Sequence, residues 1–192
     1  MTGIVLASSS PYRAELLRRL RLDFEQVAPA IDESVAADEM ADHYVRRLAR
    51  EKALAVAERY PDRIVIGSDQ CSECHGQILG KPGNMERAIK QLTNASGQRV
   101  TLFTAVAVHD PDSRHVEVEM VPTYVHFRRL ERSAIERYVN LEKPLDCAGA
   151  FRAEGLGIAL FERIQSDDPN AIIGLPLIAL TRLLARIGIV RP

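Results

Sequence analysis

The apolar run Ile4-Val5-Leu6-Ala7 stops at Ser8-Ser9-Ser10-Pro11, and a helical pattern carrying Tyr12, Arg13, Leu16 and Leu17 begins at once. A short, wholly apolar run of this kind reads as a buried strand. Ser10 is a good N-cap and Pro11 suits the first helical position. A strand feeding directly into a helix is the opening of an α/β unit. The turn between them offers backbone N–H groups, three hydroxyls and the Arg13 guanidinium to one point, and a helix N-terminus of that kind takes phosphate readily. An ordinary capped helix after a strand has the same local sequence, so the two readings have to be separated by the rest of the chain.

Further along the 192 residues, elements of both types alternate. Residues 24–28 look extended, and a largely polar stretch, 31–38, leads into a long helical pattern over 41–59. A second buried strand is expected at 64–67, then a helix at 84–95 that ends in a turn over 94–97. Residues 100–109 and 116–127 read as long strands around Asp110-Pro111-Asp112-Ser113, with period-two alternation at Val116, Val118 and Met120. A short helix at 133–141 is followed by a Gly-rich loop at 148–157 and a strand at 158–161. Asp168-Pro169 opens a helical turn, and 175–187 is an amphipathic closing helix. The pattern predicts an α/β fold with a mixed sheet and flanking helices, in a single domain over 1–192. No internal repeat, low-complexity segment or linker interrupts it.

Bulk composition narrows the function classes. The chain has 25 Lys and Arg against 26 Asp and Glu, a net charge of −1. That balance argues against a protein that coats nucleic acid or an anionic membrane, so any anion binding is local. No apolar run approaches the roughly 18 residues of a membrane span. The N-terminal stretch has neither a basic leader nor a signal-type apolar core, and the chain reads as cytoplasmic. Cys71-Ser72-Glu73-Cys74-His75 matches the spacing of c-type haem attachment, and with Cys147 it offers metal-ligand types. The segment follows an apolar strand, where a strand–turn with reduced thiols fits better.

Five places carry residues with chemistry to offer. Asp69 closes the run Ile64-Val65-Ile66-Gly67-Ser68-Asp69, and strand C-termini line the ligand crevice of α/β folds, so Asp69 stands where a metal ligand or general base is expected. Lys81, between Gly80 and Pro82, is placed to meet a phosphate as a point charge. Asp32-Glu33 and Glu51-Lys52 add acids and a base, and two carboxylates converging on one point hold Mg²⁺ or Mn²⁺. In the Gly-rich loop Glu154 is the one acid. Each has a plainer reading as a turn cap or a solvated charge.

Taken together, these segments resemble the Maf family of nucleotide pyrophosphatases over essentially the whole chain. The resemblance rests on residues 6–17, Asp32-Glu33, Glu51-Lys52, Gly67-Ser68-Asp69-Gln70, Gly80-Lys81-Pro82, the run 147–157 and Gly174-Leu175-Pro176-Leu177, in that order. It implies an α/β fold of two lobes around a cleft, related to inosine triphosphate pyrophosphatases. It further implies divalent-metal-dependent hydrolysis of a nucleoside triphosphate to the monophosphate and pyrophosphate, and a homodimer. By the same resemblance Asp69 matches the catalytic proton acceptor, and Ser8, Arg13, Glu33, Lys52 and Lys81 match the polar set of the cleft.

Three positions sort substrates within that family. The branch acting on dTTP and UTP has Arg, Thr and Gln there; this chain has Tyr12, Gln70 and Glu154. That resembles the branch acting on 7-methyl-GTP, which typically has Trp at the first position. Methylation at N7 makes guanine cationic, and an aromatic face attracts such a ring by about 0.5–2 kcal/mol. A Glu154 carboxylate can accept from guanine N1–H and its N2 amine, a donor pair uracil and thymine lack. The expected arrangement has the triphosphate across the Ser8–Ser10 turn, met by Arg13, Lys52 and Lys81. A cation would sit on Glu33 and Asp69, with Asp69 activating a water. Two rivals stay open at this point: the same chemistry on dTTP or UTP, and a nucleotide-binding regulator of cell division without catalysis.

Overall fold

A computed structural model describes residues 3–189 of the chain; Met1 and Thr2 of the opening segment, and the last three residues, lie outside them. Strand β1 (Ile4–Ala7) runs into helix α1 (Pro11–Arg18), then β2 (Phe24–Val27) and α2 (Ala41–Ala57). The chain continues through β3 (Ile64–Cys74), β4 (Gln77–Leu79), α3 (Met85–Ala95), β5 (Arg99–His109) and β6 (Val116–Phe127). Helix α4 (Arg132–Glu142), strand β7 (Phe161–Ser166) and helix α5 (Leu177–Arg186) complete it. The strands form one seven-stranded mixed sheet in the order β2-β1-β3-β5-β6-β7, with β4 paired to β3. Strand β1 is parallel to both neighbours, Ile4 opposite Phe24 on one side and Ile64 on the other.

By packing, the described residues divide into two compact units. The first comprises 3–69, 104–121 and 168–189. Its core gathers Leu6 of β1, Leu16 and Leu17 of α1, Ile66 of β3, Val106 of β5 and Leu180, Leu183 and Leu184 of α5. Helix α5 supplies a buried stripe at Leu177, Leu180 and Leu184, the spacing of one helical face. Asp168 caps this helix, its carboxylate accepting from the N–H groups of Ile178 and Ala179. The second unit comprises 70–103 and 122–167. Here α3 packs on α4, and Phe127, Phe151 and Phe161 meet edge to face with ring centroids 5.0–5.5 Å apart, the arrangement the ring quadrupoles favour.

Three expectations need correction. The strand expected at 64–67 continues to Cys74. Its second half is paired with β4 through His75 and Gly76, both at positive φ, as a two-residue hairpin turn requires. The apolar run 158–161 is not a strand: Leu156–Leu160 is a 3₁₀ turn and β7 begins only at Phe161. Gly157 lies so close to the Arg152 carbonyl that a Cβ would stand 2.3 Å from it, so the chain is still doubled back where extension was expected. In β6 the alternation holds for Val116 alone of its three residues; the buried positions beyond are Val121, Thr123, Val125 and Phe127. No helix among the described residues is long and apolar enough to cross a membrane.

Candidate active site

Helix α2 buries Val45, Leu48, Ala49, Lys52, Ala53 and Val56. Helical spacing places Lys52 on this inward stripe and leaves Glu51 outside it, where Glu51 pairs with Arg47 at 3.2 Å. A lysine with only 4% of its surface exposed needs a partner. It has two: Nζ lies 2.6 Å from Asp69 Oδ1 and 2.7 Å from Glu33 Oε1. The Asp69 side chain is buried and that of Glu33 is half exposed.

The approach of α2 to β3 makes this contact possible. Gly67 faces α2 two residues before Asp69, on the same side of the strand. A Cβ at Gly67 would stand 2.2 Å from the Ala49 carbonyl and 2.8 Å from the Ala53 nitrogen. Asp69 therefore lies in the interior of β3, not at its C-terminal end as expected, and it is directed at Lys52 by the pleat. Ser68, on the other face, lies 2.8 Å from the Ala105 carbonyl and 2.9 Å from that of Gly174.

The Glu33 loop is tied to α2. Tyr44 Oη donates to the Glu33 carbonyl at 2.9 Å, and Arg47 donates to the Ser34 carbonyl at 3.1 Å. Arg47 also forms a two-pronged pair with Glu39, 2.7 Å on each prong. This guanidinium brings the Glu39 carboxyl down to about 2. Of the two adjacent acids, Glu33 joins the site; Asp32 turns back and accepts from the N–H and hydroxyl of Ser34.

The Ser8–Ser10 turn stands as expected in outline. Ser10 caps α1 by accepting the Arg13 N–H, and Pro11 takes the first helical position. Ser8 Oγ accepts the Ser10 N–H at 3.1 Å. Two of the N–H groups expected to meet an anion, those of Ser10 and Arg13, are thus already engaged. Gln26 of β2, which the sequence did not single out, donates to the carbonyls of Ser8 (2.9 Å) and Ser10 (3.1 Å) and braces the turn. Arg13 is half-buried: Nε donates to the Gly174 carbonyl at 2.8 Å, and Nη1 lies 3.5 Å from Ser8 Oγ. Burial lowers the Arg13 pKa, and the negative charges of Asp69 and Glu33 oppose that shift.

Tyr12, Ser8, Ser10, Arg13, Glu33, Lys52 and Asp69 belong to the first unit; Gln70, Lys81 and Glu154 belong to the second. Lys81 is exposed in its Gly-Lys-Pro loop. Glu154 Oε1 lies 4.0 Å from Arg152 Nε. Cys71 and Cys74 are buried. Burial raises the pKa of Cys74 and pushes that of Cys147 to about 11. No group of three or more His, Cys, Asp or Glu able to hold a metal exists among the described residues.

The fold is that of a wider class of α/β proteins. The Ham1 protein of Coxiella burnetii superimposes with a TM-score of 0.54 at 15% identity, covering 97% of this chain and 100% of that one. The Ham1 protein of Staphylococcus aureus gives 0.50 at 17% identity over 67% of this chain and 73% of its own. Within that class the chain belongs to the Maf-like proteins, whose family model matches residues 3–187. It is 53% identical over the full length of both chains to the 7-methyl-GTP pyrophosphatase of Pseudomonas aeruginosa. It is equally similar, over 96% of this chain and 93% of the relative, to the protein of the same name from Alkalilimnicola ehrlichii.

Proposed function

We propose that this protein hydrolyses 7-methyl-GTP to 7-methyl-GMP and pyrophosphate. The observation that carries the chemistry is the buried Lys52 held between Asp69 and Glu33. The substrate class rests on full-length relatives at about half identity that bear that name. Asp69 takes a proton from water as the water oxygen bonds to the α-phosphorus and the bond to the pyrophosphate oxygen breaks. Lys52 donates to Oδ1 of Asp69 and so orients the carboxylate that accepts the proton. Ser8, Ser10, Arg13 and Lys81 meet phosphate charge.

The donor set suits a hard divalent cation. Two carboxylates converge within 2.6 and 2.7 Å of one ammonium, and Mg²⁺ is commonly held by one or two carboxylates with substrate phosphates completing its shell. Asp69 and Glu33 would hold it, and it would neutralise charge on the triphosphate. Tyr12 would stack on the cationic base, Glu154 would accept from the guanine edge, and Gln70 is the third position that sorts substrates.

The test is pyrophosphate release from 7-methyl-GTP by the native protein and by Asp69→Asn, with Mg²⁺, Mn²⁺ or EDTA. Turnover should fall about 100-fold or more in the variant, as for loss of a general base, and should stop in EDTA. An Asp69→Asn protein with near-native turnover would refute the mechanism.

A further inference from the structure

The turn that carries Glu154 is held on both sides by a carboxylate that the reaction above does not use. Glu142 is the last residue of α4. Its Oε1 accepts from Arg152 Nη1 at 3.1 Å, and its Oε2 accepts the Leu156 N–H at 2.8 Å. Arg152 and Leu156 bracket Glu154 by two residues each way. Gly155 rests against the same carboxylate, where a Cβ would stand 2.7 Å from Oε1. Arg152 is anchored in turn by its own N–H, which donates to Tyr138 Oη at 3.1 Å. Its guanidinium lies 3.7 Å from Asp146 and 4.0 Å from Glu154. Helix stability alone does not call for an acid at the last position of α4, because a helix C-terminus disfavours negative charge. The contacts of the Glu142 carboxylate run to the 152–156 turn.

We infer that Glu142 is a positioning residue for base recognition. Through Arg152 and the Leu156 N–H it sets where the Glu154 carboxylate stands, and with it the preference for 7-methylguanine over uracil. The inference rests on the reading of Glu154 given above. A carboxylate that accepts two donors of a base edge must be held at hydrogen-bond distances of about 2.7–2.9 Å, and a turn anchored on one side only does not keep that tolerance. Charge acts in the same direction. One guanidinium stands within ion-pair range of three carboxylates, Glu142, Asp146 and Glu154, and the surplus negative charge favours a cationic ring over a neutral one.

The experiment compares kcat and KM for 7-methyl-GTP and UTP in the native protein, Glu154→Gln, Glu142→Gln, Glu142→Ala and the double variant Glu142→Ala/Glu154→Gln. Thermal unfolding is followed alongside. Both substrates carry the same triphosphate, so the ratio of their kcat/KM values cancels losses of folded protein or of phosphate binding. Glu142→Ala should lower that ratio about tenfold, the size of one lost charge-assisted hydrogen bond, chiefly through KM. Glu142→Gln keeps an acceptor for the Leu156 N–H and should recover part of the preference. It also supplies the comparison if the alanine variant does not fold. The double variant should be no worse than Glu154→Gln, since both act through one group. If Glu154→Gln loses the preference while the Glu142 variants keep it, or if the two losses add, the inference about Glu142 fails alone. If Glu154→Gln keeps the native ratio, or the native protein has no preference, the reading of Glu154 fails and takes the inference with it.

Discussion

At the scale of single residues, Lys52 is the most consequential side chain in the chain. Its ammonium and the Asp69 carboxylate are both nearly excluded from water, so removing either partner leaves a buried charge uncompensated. Lys52→Met should lower unfolding stability by about 3–5 kcal/mol, a loss measurable by denaturant titration, and should abolish turnover. Its neighbour Glu51 should tolerate alanine within about 0.5 kcal/mol, as an exposed helix pair does. The sequence offered Asp32-Glu33 and Glu51-Lys52 as pairs without saying which member of each mattered. Helical spacing separates Lys52 from Glu51 once the buried stripe of α2 is drawn. Nothing comparable separates Glu33 from Asp32, because an irregular loop has no period. Gln26 was illegible for another reason: it acts through backbone carbonyls, which leave no mark in a sequence.

At the scale of elements, the α2–β3 contact governs the geometry of the site. Gly67 permits it, and Gly67→Ala should destabilise the fold by about 1–3 kcal/mol through overpacking, while separating Lys52 from Asp69 and lowering kcat. Unfolding and kinetics on the one variant check both effects. The Glu33 loop is held to α2 by an ion pair whose pH behaviour follows from its sign. Glu39 titrates at about 2 in the folded protein, below the roughly 4.3 of an unperturbed glutamate. Its contribution is therefore complete above that unperturbed value and is lost as pH falls from about 4 towards 2. Thermal unfolding across that range should show an acid-sensitive component that Arg47→Leu removes. The first strand, the cap at Ser10 and most helices were readable from apolar period and capping chemistry. The length of β3 was not, because its second half is specified by pairing with β4 rather than by its own hydrophobicity. The run at 158–161 misled for the converse reason: apolar residues there serve a turn, with Ile158 exposed.

At the scale of the whole molecule, the order of short motifs carried the family, and the match over residues 3–187 agrees with it. Two lobes were implied by the resemblance, but where the chain passes from one unit to the other was beyond reach of the sequence, because each unit is assembled from segments far apart in the chain and no composition change marks the crossings. The site residues are divided in the same way, with the Lys52 cluster in one unit and Glu154 in the other. Base reading and phosphate handling do not follow that division, since Tyr12 belongs to the first unit and Lys81 to the second; they should be separable by their chemistry. Tyr12→Ala should raise KM for 7-methyl-GTP more than for GTP, by a factor of about 2–30 for a lost cation–π contact, with kcat little changed. The measurement that tests the central claim most directly is pyrophosphate release by the native protein from 7-methyl-GTP, GTP, dTTP, UTP and CTP in the presence of Mg²⁺ or Mn²⁺. The account predicts the highest kcat/KM on 7-methyl-GTP. A preference for dTTP or UTP, or nucleotide binding without release of pyrophosphate, would contradict it.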